Sequence, residues 1–407
     1  MPTTINDIKS IRIPSLPKRY FEDLLSIAGD ALAIHPPDYI RSIFGPIRDW
    51  IPPHDGYSEF SIIDLWRLRR TIKYLVNTII PSLPFNPPPF GPPILNNIFW
   101  HPTVILQRPD HNGNYTTFPD ESWFFINGIM TNDSLAQLNA AYLSYLFHRP
   151  LTLIQNSTDS FFVDLLQCAI GKQWGLMTEP AIKAFPPIHQ ALKDPSKQRV
   201  VVVAHSQGTI IMSNVLKWLQ SKVAIDIKQA QLLPVIKDIL KSNVVAVEPE
   251  QYYAPASPVF VYPDQDKLDL NDFETLTVEE LAKLEIYLFA NCANEMKYSA
   301  PAVNGQAPLP WIENFANEND IVARLGMLAP HPEKRGIKIA GPNYVHKGAW
   351  GHFLNVHYLF DIQHHQKQGR KQGGAGNAKP YVLGNPDDSP VSQTPRLFDY
   401  LNGGVPD

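Results

Sequence analysis

The sequence predicts an α/β protein built on a doubly wound, mostly parallel sheet. Three observations carry that expectation. Val200-Val201-Val202-Val203 is an unbroken β-branched run, which reads as a strand buried on both faces, as in a parallel sheet. Similar apolar runs recur at Thr103–Gln107, Trp123–Ile126, Leu151–Gln155, Leu284–Asn291 and Trp311–Phe315, and Asp133–Phe147 and Thr209–Gln220 between them have apolar residues at helical spacing. Strands alternating with helices argue for crossover connections between parallel neighbours. The chain of 407 residues is 44% apolar, enough for one large domain with additions.

The valine strand, read as Val200–Ala204, breaks at Ala204-His205-Ser206-Gln207-Gly208, and the helical pattern starts at Thr209. A serine at a sharp strand-to-helix turn is pushed out of the sheet, and the first amides of the helix point at whatever it attacks. A serine hydroxyl is a weak nucleophile until a base takes its proton and donors hold the resulting oxyanion. The turn crowds the positions two before and two after the serine, so both must be small; here they are Ala204 and Gly208.

At this pentad the chain resembles the α/β-hydrolase superfamily, and within it the lipases and esterases. The common pattern there is Gly-x-Ser-x-Gly; alanine stands at its first position in this chain. The resemblance implies the chain order serine, acid, histidine. Asn317-Glu318-Asn319-Asp320-Ile321-Val322, just past the strand at Trp311–Phe315, looks like the acid loop of many lipases. Asp320 is the expected acid and Glu318 its rival; Asp320 also suits the N-cap of a short helix starting at Ile321. Gly348-Ala349-Trp350-Gly351-His352, before an apolar segment, suits the last loop of the fold, with a flexible glycine approach that lets the ring swing over the nucleophile. His352 is the expected base, His346 stands second, and His357 would point elsewhere along the following helix. One oxyanion donor is expected at the Gln207 amide. The other is expected from Asn127-Gly128-Ile129-Met130 after the strand at Trp123–Ile126, at Ile129 or alternatively Met130.

The resemblance thus implies a serine hydrolase that cleaves a small-molecule carboxylic ester or a lipid ester through an acyl-enzyme, needing no metal and no organic cofactor. Acyl transfer to another alcohol on the same triad and a non-catalytic hydrolase-fold scaffold are the alternatives. All three triad residue types in order weigh against the scaffold.

Net charge is −4 and 18% of residues are charged, with no basic face or interleaved aromatics, so a nucleic-acid partner is not expected. Cys168 and Cys292 make neither a disulfide framework nor a metal set. The start Met1–Asp7 lacks a charged segment followed by an apolar one, and no apolar window is long enough to span a bilayer, so a cytoplasmic location is expected.

Prolines number 39 and crowd the first hundred positions, for example Pro81–Pro93. Residues 1–98 read as an appendage of helices (Tyr20–Ala33, Ile62–Ile79) and a proline-rich connector. The second helix sets Arg67, Arg69, Arg70 and Lys73 beside an apolar stripe. That pattern suits packing on the domain, or peripheral contact with a membrane through the N-terminal region. The catalytic domain is expected over 99–362, with lid-like insertions at about 157–197 and 248–281. Residues 363–407, rich in Gly, Gln, Pro and Asp, read as a flexible C-terminal tail.

Overall fold

The valine run forms the centre of the sheet. In the computed structural model, strand β4 (Arg199–His205) lies between β2 (Glu121–Ile126) and β5 (Leu284–Phe289), parallel to both. Its residues alternate between two cores. Val200, Val202 and Ala204 pack on the helices of one face, and Val201 and Val203 on those of the other. Burial on both sides is why the run has no polar alternation. The structure describes residues 36–50, 56–61, 104–107, 118–128, 131, 133–155, 179–223, 273–296, 310–363, 382–383 and 394–406.

The remaining strands are β1 (Val104–Gln107), β3 (Leu151–Ile154), β7 (Trp311–Asn317), β9 (Asn343–His346) and β10 (Val382–Leu383), in the spatial order β1-β3-β2-β4-β5-β7-β9-β10. The run from β3 to β9 is parallel, and the two edges, β1 on β3 and β10 on β9, are antiparallel. Two short strands, β6 (Glu295–Met296) and β8 (Lys338–Ile339), pair separately. The protein is therefore α/β with a mostly parallel sheet. From β2 the chain steps outward to β3, then returns past β2 to β4 and proceeds the other way through β5, β7 and β9. The reversal between β2 and β4 is a topological switch point, where the loops at the carboxyl ends of the strands part and leave a crevice.

Helices α2 (Asp133–Phe147) and residues 354–363 cover one face; α3 (Glu179–Lys193) and α4 (Gln207–Val223) cover the other. Helix α3 corrects the sequence reading of a lid-like insertion at 157–197 for its part 179–193. Its Ala181, Ala184, Phe185, Ile188 and Leu192 are fully buried against β4 and α4, so 179–193 is a core helix. Pro186 and Pro187 inside the helix hid it. Proline normally breaks a helix interior, and here the apolar face packed on the sheet outweighs that local cost. Residues 156–178 and 248–272 lie outside the described residues. Helix α5 (Val278–Ala282), at the end of the second expected insertion, starts on a capping box between Thr277 and Glu280.

Part of the span read as a flexible C-terminal tail is also built into the core. Residues Arg396–Gly403 form a short 3-10 segment in which Leu397 and Tyr400 are fully buried, and Glu313 on β7 accepts the Arg396 and Leu397 amides at 2.8 and 3.2 Å. It covers a buried ionic layer at the amino ends of the strands. There Arg149 meets Glu121 at 2.9 Å and Arg396 meets Glu285 at 3.2 Å. At the other end of the chain, α1 (Pro36–Phe44) and the turn Glu59–Ser61 bury Ile43, Glu59 and Phe60 against the domain. The expected helices at Tyr20–Ala33 and Ile62–Ile79 and the run Pro81–Pro93 lie outside the described residues. Among the described residues no helix is long and apolar enough to cross a membrane.

Candidate active site

Ser206 follows the last residue of β4 and precedes the first of α4, at the switch point. Its φ is +56°, a left-handed conformation that costs a β-carbon residue roughly 1–2 kcal/mol. Tertiary bonds hold it there. The Ser206 amide donates to Phe289 O at 2.9 Å, extending the β4–β5 ladder by one residue, and Ser206 O accepts from the Thr209 hydroxyl at 2.7 Å. Strained backbone of this kind persists only where the surroundings over-determine it, and it concentrates at functional sites.

The small residues of the turn have visible causes. A β-carbon at Gly208 would lie 2.3 Å from Ile126 O, because α4 begins directly against the end of β2. Ala204 is fully buried beneath that contact. Gly128, in the loop after β2, is a close-approach position too. A β-carbon there would lie 2.4 Å from Ser206 Cβ and 3.0 Å from Ser206 Oγ, so glycine is what lets the β2 loop reach the serine.

His352 sits between Ser206 and Asp320. Its Nε2 is 2.9 Å from Ser206 Oγ and its Nδ1 is 2.8 Å from Asp320 Oδ2. An ionised carboxylate only accepts hydrogen bonds, so Nδ1 carries the proton, Nε2 is the bare nitrogen, and the serine hydroxyl donates to it. That tautomer is the one able to take the serine proton. Asp320 is fully buried just past β7, and each of its oxygens is engaged. Oδ1 accepts the Val322 amide at 2.8 Å, and Oδ2 accepts the Tyr358 hydroxyl at 2.6 Å beside the imidazole. These donors offset the cost of burying the charge. The expected helix start at Ile321 is not found: the 3-10 segment spans Ala323–Leu325 with Val322 at its cap position, and the Asp320 contact with the Val322 amide closes a local turn before it.

The rivals are placed elsewhere. Glu318 accepts the Gly348 amide at 2.7 Å and meets Lys347 at 3.4 Å on the exposed side of the loop. His346, at the end of β9, pairs with Asp361 at 3.1 Å. His357 is buried one helical turn on and accepts the Phe353 amide at 2.9 Å; burial, then the nearby His352, pushes its pKa down to about 3. The glycine before the base is packed as well. Gly351 has φ +99°, and a β-carbon on it would lie 2.5 Å from the His357 ring, so it is a close-contact position in place of the expected hinge.

Two participants were not legible in the sequence. His205 enters the sequence reading only as a residue of the turn. Its Nε2–H donates to His352 O at 2.9 Å, and its ring lies 4.6 Å from the His352 ring. Burial first, and His352 second, push its pKa well below the usual histidine range, so it is a neutral prop for the His352 backbone. Tyr358 lies on the helix after His352 with no local pattern to mark it. Of the expected oxyanion donors, Gln207 is the first residue of α4, at the positive end of the helix dipole. Ile129 and Met130 lie outside the described residues.

Among the described residues no group of three or more His, Cys, Asp or Glu side chains is arranged to hold a metal ion. The chain matches no family model, no curated protein and no solved structure.

Proposed function

We propose that this protein is a serine hydrolase of the α/β-hydrolase type, cleaving carboxylic or lipid esters through an acyl-enzyme. The observation that carries the reading is the contact chain from Ser206 Oγ to His352 Nε2 at 2.9 Å and from His352 Nδ1 to Asp320 Oδ2 at 2.8 Å. The left-handed serine at the switch point supports it independently.

In the first half-reaction Ser206 Oγ attacks the ester carbonyl carbon as its proton passes to His352 Nε2. Asp320 holds the imidazole by Nδ1 and stabilises the imidazolium that forms. The oxyanion is held by the Gln207 amide and by a second amide from the loop after β2, at Ile129 or Met130. The tetrahedral intermediate collapses, the alcohol leaves with the proton from Nε2, and the acyl group remains on Ser206. Water then repeats the sequence, giving the carboxylic acid and restoring the serine. No step calls on a metal or an organic cofactor. The ester class comes from the resemblance to lipases and esterases; peripheral membrane contact through the N-terminal region rests on the basic amphipathic pattern at Ile62–Ile79.

A fluorophosphonate probe tests the reading. Wild type is expected to label stoichiometrically and to hydrolyse p-nitrophenyl esters, and Ser206→Ala to do neither. Equal labelling of both proteins would remove Ser206 as the nucleophile.

A further inference from the structure

The base is held in place by a part of the chain that the domain boundaries leave outside the catalytic unit. Both backbone polar groups of His352 are tied. Its C=O accepts from His205, and its N–H donates to Ile43 O at 2.9 Å. Ile43 lies in the last turn of α1, where carbonyls have no partner within the helix and are free to accept. Rings of the same segment close on the residues around the base. The Arg41 guanidinium lies 4.4 Å from the Trp350 ring centre, and Phe44 and Phe60 both pack edge-on against Phe353.

The helix at 354–363 begins two residues after His352, and its first amides lack a cap from their own neighbourhood. Glu59 supplies it from almost three hundred residues upstream. Its Oε1 accepts the Asn355 amide at 2.6 Å and its Oε2 the Val356 amide at 3.0 Å. The Asn355 side chain returns the contact by donating to Tyr57 O at 2.9 Å. With its amide turned to match its neighbours, Asn139 on α2 also donates to Glu59 Oε1 at 3.1 Å. A buried carboxylate on the first amides of a helix fixes where that helix begins, through two hydrogen bonds and the helix dipole. Here that start sets the position of the base.

We propose that residues 36–50 and 56–61 clamp the histidine loop, and that Glu59 is a positioning residue that sets His352 against Ser206 and Asp320. The proposal rests on the serine-hydrolase reading for its effect on turnover, but not for its geometry. With a glutamine amide in place of the Glu59 carboxylate, one of the Asn355 and Val356 amides loses its acceptor and faces an NH2 donor, so the loop relaxes and the imidazole spends less time aligned. A loss of alignment acts on the transition state and leaves ground-state binding alone, so kcat falls while KM holds.

The test compares wild type with Glu59→Gln in the full chain. For the variant, kcat on a p-nitrophenyl ester is expected to fall about 10- to 100-fold with KM within about twofold. One-dimensional proton NMR reads the alignment without turnover, because the His352 Nδ1 proton bound to Asp320 resonates far downfield. That resonance is expected in wild type and broadened or lost in Glu59→Gln. An unchanged resonance together with unchanged kcat in a folded variant overturns the clamp. A wild type that shows the resonance but neither turns over nor labels would instead sink the hydrolase reading, and the NMR comparison would still decide the clamp. Should Glu59→Gln fail to fold, Asn355→Ala cuts the Tyr57 tie and leaves the carboxylate. Its kcat is expected to drop about fivefold, the worth of one hydrogen bond, and a wild-type rate there overturns the proposal.

Discussion

Gly128→Ala tests the geometry of the site where the β2 loop meets Ser206. The added carbon would sit 2.4 Å from Ser206 Cβ, 2.8 Å from His205 O and 3.0 Å from Ser206 Oγ. Carbon atoms in contact rest at about 3.5–4.0 Å, so the β2 loop and the serine must part by roughly 1 Å. The serine cannot yield alone, because its amide is tied to Phe289 and its carbonyl to Thr209. A misplacement of about 1 Å in a reacting group costs on the order of 100-fold in rate, or about 2.7 kcal/mol of barrier. Overpacking a buried site lowers stability by about 1–3 kcal/mol. The assay is the second-order rate of fluorophosphonate labelling, with circular dichroism to show that the variant remains folded. A rate near 1% of wild type is expected. A folded Gly128→Ala protein that labels at the wild-type rate would refute the close approach of the β2 loop to Ser206, and with it the proposal that this loop supplies an oxyanion donor.

Asp320→Asn should keep the fold and lower kcat by about 10⁴-fold, because the amide favours the wrong imidazole tautomer; stopped-flow ester hydrolysis measures it. Tyr358→Phe removes one donor from the same carboxylate and should cost roughly 5- to 30-fold in kcat, with a rate unchanged from wild type counting against the hydroxyl's role. At the far end of the sheet, Arg149→Ala removes the fully buried partner of Glu121, leaving it Trp123 and the more distant Arg199, and should lower unfolding free energy by about 3 kcal/mol in urea titration, with esterase kinetics unaltered. Burial pushes the Glu59 and Glu313 carboxyls up from their ordinary 4.5 to about 7. Between those two values the folded chain holds protons that the unfolded chain has released. Their contribution to stability is therefore full below about pH 4.5 and disappears as pH rises through 7. Melting curves of Glu313→Gln should fall less steeply over that range than those of wild type, and an identical slope would contradict the shift.

Much of this protein is written locally. Four consecutive valines specify a strand buried on both faces, because each β-branched side chain finds a core whichever way it points. A small-residue turn around Ser206 follows because the strand must end where α4 crosses β2, and Ala204 and Gly208 are the residues that fit. Those patterns depend on neighbours a few positions apart, so the strand, the turn and the serine can be read from the chain alone. Selecting Asp320 over Glu318 and His352 over His346 could not be finished that way. The members of each pair lie only a few residues apart in the chain, and only the closing of β4, β7 and the 354–363 helix brings one member of each to the serine. Local signals misled where packing overrode them, at the prolines within α3 and at the polar C-terminal span whose Leu397 and Tyr400 fill the core. Glu59 and His205 had no local signal at all. Their partners lie 296 and 147 residues away, and a hydrogen bond across such a separation exists only once the sheet has brought its ends together. The sequence by itself determined which residue types were available for the chemistry. Only the tertiary structure decided which of them touch, because contact is a property of distance in space and the chain specifies distance only between near neighbours.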